Sequence, residues 1–180
     1  MMQQEISTSR LLLRPFCFTD IPDVMKYADD PEWARFLPVP SPYTLRDAEM
    51  FLARSVLMDR NHHPSWAISL ENRVVGGVNI RFHFEHRIGE IGYSVARDVW
   101  NLGVCTEAAR AVIDAAFTHY DQLERIRCNA DVRNKASIRV MEKTGMTFEG
   151  CLRSNRYIGE EFVDDACYGL LRSEWSLDRS

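Results

Sequence analysis

The sequence lacks the features of a membrane-spanning, secreted or nucleic-acid-binding chain. Its longest apolar runs fall well short of the ~20 residues that a membrane-spanning helix needs. The first ten residues have no apolar stretch behind a basic start, as a secretory signal would. The net charge at pH 7 is −4, with 22 basic against 26 acidic residues, so no basic surplus points to nucleic acid. We therefore expect neither a membrane nor a nucleic acid as a partner.

The cysteines do not form a disulfide or metal pattern. There are five, an odd number, they are scattered, and none occurs as Cys-x-x-Cys. This distribution predicts reduced thiols and a cytoplasmic location rather than a disulfide framework or a zinc site. We expect no metal.

Nucleotide-binding motifs and domain boundaries are also missing. The chain contains neither a G-x-x-x-x-G-K-[ST] loop nor a G-x-G-x-x-G turn, which disfavours the nucleotide folds built on them. No repeat, low-complexity tract or long linker divides the 180 residues. A single domain over residues 1–180 is the expectation.

Hydrophobic periodicity predicts an α/β fold. Strands are expected at residues 11–16, 66–70, 74–82, 88–95, 126–132, 148–157 and 162–171, and helices at 20–30, 44–60, 106–120 and 134–144. Hairpin-linked strands followed by strand–helix crossovers indicate one mixed, largely antiparallel sheet of six to seven strands. About four helices should flank it, on both faces.

Residues 100–108, Trp-Asn-Leu-Gly-Val-Cys-Thr-Glu-Ala, carry the most chemical information. They lie between a predicted strand and a long amphipathic helix, where free backbone N–H groups and the helix dipole suit a pyrophosphate. Gly103 would permit a close approach or a positive φ. The alternative is a glycine that only turns the chain before a helix, and this segment alone favours that alternative.

Further motifs favour the pyrophosphate site over a simple turn at residues 100–108. Residues 100–108 match the pattern Trp-Gly-x-Gly-x-Ala-Thr-Glu-Ala at Trp100, Gly103, Thr106, Glu107 and Ala108. Other matches are Glu90-Ile91-Gly92-Tyr93, Asn134-x-x-Ser137, the segment from Ser9 to Arg14 and the tail from Asp164 to Trp175. With these motifs the chain resembles the GNAT superfamily of acetyltransferases over nearly its whole length. The branch it resembles is RimJ/RimL, which acetylates the N-termini of ribosomal proteins.

The resemblance implies a GNAT-type sheet and acetyl-coenzyme A as the acetyl donor. The cofactor-binding residues it implies are Val95, Asn101, Leu102, Gly103, Val104, Cys105, Thr106, Asn134 and Ser137. Three of them depart from the family: Asn101 replaces a glycine, Leu102 a basic or amide residue, and Cys105 an alanine or glycine. Asparagine tolerates positive φ, and backbone amides do most of the binding, so we expect binding to persist.

Two residues are candidates for the chemistry. Transfer to an amine needs a neutral amine, a stabilised oxyanion and a proton for the departing thiolate. Glu90 is the candidate base, since similar enzymes carry a glutamate there; the alternatives are a solvent-facing residue or a partner of Arg87. Ser137 is the candidate proton donor, because Met141 stands where related enzymes often have tyrosine. Its alternative role is to satisfy backbone donors at a helix start.

The acceptor side is indicated by aromatic residues around a proline-rich loop. Trp33, Phe36 and Tyr43 lie where the family's substrate walls usually are, and Tyr157 and Glu90 are further candidates. The aromatic residues could equally be core beneath a long loop.

An α-amine with a pKa of ~7.7–8.0 is partly neutral at pH 7, unlike a lysine amine near ~10.4. Transfer to an α-amine can therefore proceed with a modest base such as Glu90 or with a water chain. The resemblance to the RimJ/RimL branch implies that the acceptor is the N-terminal α-amine of a protein, a ribosomal protein in particular. A small amine, such as a polyamine or an antibiotic, and a non-catalytic acyl-coenzyme A sensor are the alternatives. A monomer and a homodimer both remain open.

Overall fold

The computed structural model describes residues 2–177, and one eight-stranded mixed sheet organises them. The strands are β1 Ile6–Ser7, β2 Leu11–Arg14, β3 Ser65–Leu70, β4 Arg73–His83, β5 Ile88–Val95, β6 Arg125–Asp131, β7 Thr147–Ile158 and β8 Glu161–Leu171. The helices are α1 Ile21–Ala28, α2 Pro31–Ala34, α3 Leu45–Leu57, α4 Val104–His119, α5 Lys135–Lys143 and α6 Arg172–Leu177. The strand order is β1-β2-β3-β4-β5-β6-β8-β7.

The predicted fold class is confirmed, and the sheet has one strand more than the sequence indicated. The additional strand, β1, has two residues and pairs with β2, which is too short for a periodic pattern to reveal. Helices α2 and α6, of four and six residues, add to the four predicted.

Local capping explains where several helices begin. Thr44 and Asp47 form the predicted capping box of α3, and Asn134 caps α5 by accepting from the Ser137 N–H. Asp20 precedes α1 as expected, but its side chain makes no capping bond. Its carboxylate instead accepts two hydrogen bonds from Arg14, at 2.7 and 2.9 Å. A buried carboxylate is better satisfied by a guanidinium than by one N–H group.

The sheet opens between its two central strands. All neighbouring strands pair antiparallel except β5 and β6, which are parallel and paired only at residues 88–90 with 125–127. Strand β5 continues to Val95 and β6 to Asp131. Beyond the Glu90–Arg127 pair the two strands therefore diverge, and we call the gap between them the cleft.

The two faces of the sheet differ around the cleft. Helices α4 and α5 pack against each other, and α4 packs on β4 and β5. This side, the helix face, carries Tyr93, whose hydroxyl reaches Ser137 of α5.

The opposite side is covered near β3 and β4 by α1 and α3. There the ring of Phe16 lies over Gly77 and packs on Phe51 of α3. Farther along the sheet this side, the open face, carries Asn79 and the cross-strand pair Arg81 and Glu90.

Candidate functional site

The loop from β5 to α4 has the geometry of an anion site. Asn101 and Gly103 adopt left-handed conformations, with φ of 62° and 78°. Helix α4 begins at Val104, two residues earlier than predicted, because Gly103 caps it. The first-turn N–H groups of α4 have no intrahelical acceptor, and together with the dipole they favour a phosphate.

The individual loop residues are placed as follows. The Trp100 indole N–H donates to the Val95 carbonyl at 2.9 Å and closes the loop onto the end of β5. Residues Asn101, Leu102 and Gly103 are exposed, Val104 is buried, and Cys105 and Thr106 are half-buried. Six of the nine residues implied for the cofactor are thus consecutive, from Asn101 to Thr106, and a seventh, Val95, ends β5 just before this loop. The other two, Asn134 and Ser137, lie at the start of α5.

A cluster of hydrogen bonds fastens this loop to the N-terminal turn. The Glu107 carboxylate accepts from the Thr8 and Ser9 hydroxyls at 2.5 and 3.0 Å, and from Arg10 Nε at 2.8 Å. Arg10 Nη1 also donates to the Leu102 carbonyl at 3.0 Å. Burial tends to raise the pKa of Glu107, but these hydrogen bonds outweigh it and hold that pKa below its usual value. We call residues Thr8, Ser9, Arg10 and Glu107 the clamp.

On the helix face of the cleft, Ser137 meets a phenol. The Ser137 hydroxyl donates to Tyr93 Oη at 3.3 Å, and Tyr93 Oη donates to the Ser137 carbonyl at 3.1 Å. Burial raises the pKa of Tyr93, so it stays protonated. Met141 is fully buried in the core. Ser137 and Tyr93 therefore place two hydroxyl groups here. Tyr93 belongs to the motif Glu90-Ile91-Gly92-Tyr93, but no role for it was predicted from the sequence.

Two thiols lie in the same region. Burial raises the pKa of Cys128 to about 12 and raises that of Cys105 as well. Both thiols therefore remain protonated at neutral pH, which argues against a thiolate nucleophile at this position.

On the open face, Glu90 is held by an arginine of the neighbouring strand. Arg127 donates to Glu90 Oε2 through Nη2 at 2.8 Å and Nε at 3.1 Å. The Glu90 side chain is 35% exposed. Arg87, the partner considered from the sequence, instead lies 3.7 Å from Glu124.

His63 lies on the same face. Its Nε2 is 3.2 Å from Asn79 Oδ1, and Asn79 is the cross-strand neighbour of Gly92. Burial lowers the pKa of His63, assisted by the charge of Arg81 and opposed by Asn79 and Glu90. No role for His63 was predicted from the sequence, because nothing in its local pattern reveals its neighbours.

The aromatic acceptor candidates separate into groups. Trp33 packs against Tyr27 and Tyr43, with ring centroids 5.2 and 6.3 Å away. Tyr43 lines a cavity of about 280 Å³ together with residues of α1 and α2. Phe36 lies under Arg35, whose guanidinium carbon is 5.2 Å from the ring centroid.

Tyr157 lies apart from that group in the β7–β8 hairpin. Its ring centroid is 5.0 Å from that of Phe162, and its side chain is 59% exposed. The structure thus brings together Trp33 and Tyr43, while the other two aromatic candidates make separate contacts.

Carboxylates beside the open end of the cleft are paired with arginines. Arg156 donates to both oxygens of the buried Asp165, at 2.6 and 2.7 Å. Arg133 binds the buried Asp131 at 2.7 Å. Within residues 2–177 there is no group of three or more potential metal ligands. That part of the chain also contains no helix long and apolar enough to cross a membrane.

Comparison with known proteins gives consistent matches. A sequence model of the acetyltransferase (GNAT) domain matches residues 10–147. YnaD of Bacillus subtilis (strain 168), an uncharacterized N-acetyltransferase, is 30% identical over 171 residues, covering 95% of this chain and 99% of YnaD.

Solved structures agree with these sequence matches. A GNAT-family acetyltransferase from Bacillus anthracis has a TM-score of 0.82 and 29% identity, covering 94% of this chain and 99% of its own. RimL, a ribosomal L7/L12 alpha-N-protein acetyltransferase solved with coenzyme A, has a TM-score of 0.80 over 93% of this chain and 97% of RimL. At 17% identity, the likeness to RimL concerns the fold alone.

Proposed function

The chain belongs to the GNAT family of acetyltransferases, and we propose that its acceptor is the N-terminal α-amine of a protein, a ribosomal protein being the first candidate. It is an acetyl-coenzyme A-dependent N-acetyltransferase. The identity of the acceptor, the individual roles of the site residues and a cytoplasmic location belong to the proposal.

The loop before α4 and the cleft fit acetyl-coenzyme A. The left-handed residues Asn101 and Gly103 leave the first turn of α4 open to a pyrophosphate, and the cleft offers an extended path from Val95 toward Glu90. When bound, acetyl-coenzyme A supplies a thioester whose carbonyl carbon the amine attacks. Asn134 and Ser137, at the start of α5, complete the expected binding surface.

The helix face can stabilise the departing sulfur. The Ser137 hydroxyl donates to Tyr93 Oη, and Tyr93 Oη is fixed in turn by its hydrogen bond to the Ser137 carbonyl, so Tyr93 orients the hydroxyl that gives its proton to the thiolate. On the open face, Glu90 and His63 are the two groups able to take a proton from the amine. The candidate proton donor and the candidate proton acceptors thus lie on opposite faces of the sheet.

The choice of acceptor rests on how the acidic residues around the open face are paired with arginines. Glu90, Asp131 and Asp165 are each bound by an arginine. A polyamine site needs carboxylates whose charge is not already compensated, because each ammonium group must exchange its water for an anion. An α-amine brings one charge, and on the order of a tenth of it is neutral at pH 7. The compensated charges therefore support an N-terminal acceptor.

Intact-mass spectrometry of acetyl transfer tests the proposal. The purified protein receives acetyl-coenzyme A with one of three acceptors: a peptide with a free N-terminal serine, the same peptide with a blocked N-terminus and an internal lysine, or spermidine. A mass gain only on the free N-terminus is expected, followed by the same assay on pooled ribosomal proteins. Turnover confined to spermidine would reject the N-terminal α-amine as the acceptor. The Ser137→Ala variant checks that transfer depends on this site.

A further inference from the structure

We propose that His63 is the group that accepts the proton of the acceptor amine, and that Asn79 is the positioning residue that fixes its ring. This proposal rests on the acetyltransferase activity and holds for any amine acceptor. It assigns a role to a histidine that lies far in sequence from every motif of the site.

The backbone holds His63 over the open face. The Phe82 N–H donates to the His62 carbonyl at 2.7 Å, and the Ile80 N–H donates to the Pro64 carbonyl at 3.1 Å. The segment before β3 is thus paired to β4 on both sides of His63. The side chain of His63 consequently meets Asn79, which lies on the open face of β4.

Asn79 borders the stretch of β5 where transfer should occur. Its amide nitrogen is 3.3 Å from the Cβ position of Gly92, which has no side chain in the way. At ~3.3 Å per residue, Gly92 lies about 10 Å along β5 from Val95. The loop after Val95 leads to the start of α4, so a pantetheine arm that runs along the cleft from a pyrophosphate held there would bring its thioester to this stretch of β5. His63 and Asn79 are therefore beside the attack site, on the face opposite Ser137.

The hydrogen bond selects the useful tautomer. Asn79 contributes a carbonyl oxygen, which can only accept. His63 Nε2 therefore carries the proton, and Nδ1 carries the lone pair. Since burial holds the pKa of His63 below its ordinary value of 6.5, the ring is neutral at pH 7 and able to take a proton.

The contacts of the two groups favour His63 over Glu90 as the proton acceptor. Arg127 places two donors on Glu90 Oε2, so that carboxylate oxygen is already engaged. Around His63, Arg81 disfavours the imidazolium and Glu90 favours it. The neighbouring His62 is occupied by Asp59 at 2.7 Å. Glu90 is thus placed to stabilise the imidazolium once it has formed.

The proton balance of the step is complete. The ammonium form of the acceptor gives its proton to His63 Nδ1, which leaves a lone pair on the amine nitrogen. That lone pair forms a bond to the thioester carbonyl carbon, which leaves two hydrogens on the nitrogen of the tetrahedral intermediate. When the carbon–sulfur bond breaks, the thiolate takes a proton from the Ser137–Tyr93 pair. The His63 imidazolium releases the first proton to water, and the neutral ring then takes the second proton from the nitrogen. Water returns one proton to the Ser137–Tyr93 pair, so the products are the amide, the thiol and one proton in solution.

The test compares His63→Gln with His62→Gln in the full-length protein. Glutamine at 63 can still donate to Asn79 but cannot act as a base at neutral pH. With acetyl-coenzyme A and the N-terminal serine peptide, kcat/KM of His63→Gln should fall about 30-fold at pH 6.5 and less than about threefold at pH 9, where most α-amine is already neutral. His62→Gln should follow the wild type at both pH values. A loss of equal size at both pH values would overturn the proposal, since that is what a structural defect produces.

Two further measurements separate this proposal from its competitors. Nuclear magnetic resonance titration of the His63 ring should give a pKa below 6.5, and Asn79→Asp should raise it and move the acidic limb of kcat/KM upward in parallel. A His63 pKa unchanged by Asn79→Asp would refute the positioning role. If the acidic limb of kcat/KM disappears in Glu90→Gln but persists in His63→Gln, Glu90 and not His63 is the proton acceptor.

The test of His63 does not depend on which amine is the acceptor. If the wild type acetylates only spermidine, the same pH series is run with spermidine. The N-terminal assignment then fails, while His63 is judged by its own pH dependence.

Discussion

Replacing Glu107 with glutamine is expected to weaken the binding of acetyl-coenzyme A while leaving kcat nearly unchanged. Glu107 acts on the loop indirectly. Its carboxylate binds Arg10, and Arg10 donates a hydrogen bond to the Leu102 carbonyl at 3.0 Å. Removing the carboxylate charge frees Arg10 and, with it, the loop that precedes α4. A looser loop must be ordered on binding, and that cost appears in the dissociation constant rather than in the chemical step.

The magnitude follows from the contacts of the clamp. Each hydrogen bond to a charged group contributes ~1.5–3 kcal/mol net, and glutamine retains an oxygen for the Thr8 and Ser9 hydroxyls. The loss is thus mainly the pairing with Arg10, which is 46% exposed and partly screened by water. We expect a loss of about 1–2 kcal/mol in unfolding free energy. About 1 kcal/mol of this should appear as roughly fivefold weaker binding.

Calorimetry with coenzyme A, urea unfolding and steady-state kinetics supply the assay. Arg139→Ala is the matched control, because its pair with Glu142 is exposed and its removal should cost within ~0.5 kcal/mol. Arg10→Ala should lose little more when Glu107 is already glutamine, as expected for two members of one interaction. A Glu107→Gln variant with wild-type affinity and reduced kcat would refute the reasoning.

Three further outcomes are expected. Gly103→Ala should cost ~1–2 kcal/mol of stability and raise KM for acetyl-coenzyme A, because alanine is strained at a φ of 78°; an unchanged melting temperature and KM would contradict this. Tyr93→Phe should lower kcat about tenfold at unchanged KM, since Ser137 loses its hydroxyl partner; equal kcat values would leave Tyr93 a packing residue. Asp20→Asn should cost about 2–4 kcal/mol, because it leaves Arg14 without its counter-charge. Burial opposes the ionised form of Asp20, yet hydrogen bonds from Arg14 hold its pKa below the ordinary value, so this contribution is present above pH ~3.9. Urea midpoints of wild type and Asn variant should therefore converge as the pH falls below that value.

The sequence could predict those parts of the fold that local patterns determine. The capping box at Thr44 and Asp47 and the cap at Asn134 are recognisable within four residues. The left-handed Gly103 could also be expected, because a glycine before an amphipathic helix commonly adopts that conformation.

The contacts that form the site could not be predicted in this way, because they join residues that are far apart. His63 and Asn79 are separated by 16 positions in the sequence. Tyr93 and Ser137 are 44 positions apart, and Arg10 and Glu107 are 97 positions apart. Such pairs depend on strand register and helix packing, which one sequence does not reveal.

Glu90 shows how proximity in sequence misleads. Arg87 is three residues away but adopts a left-handed turn conformation, with φ of 56°. Arg127 comes from another strand and is the direct neighbour of Glu90 in the parallel register. Identifying the partner of Glu90 therefore required knowing that β5 and β6 lie side by side, and where their pairing ends.

The divergence of β5 and β6 also makes the sheet an assembly of two halves with an internal edge. Strand β5 is paired on its other side by β4, and β6 by β8, so residues 91–95 and 128–131 turn their remaining backbone groups toward the gap. Such groups require hydrogen-bond partners when buried, and the amides of an extended pantetheine arm can supply them. The cosubstrate would then serve as a ninth strand that joins the halves. At a concentration 100 times its dissociation constant, such a ligand adds about 2.7 kcal/mol to the stability of the folded state. The folded population of this enzyme would therefore rise with the supply of the molecule that it consumes.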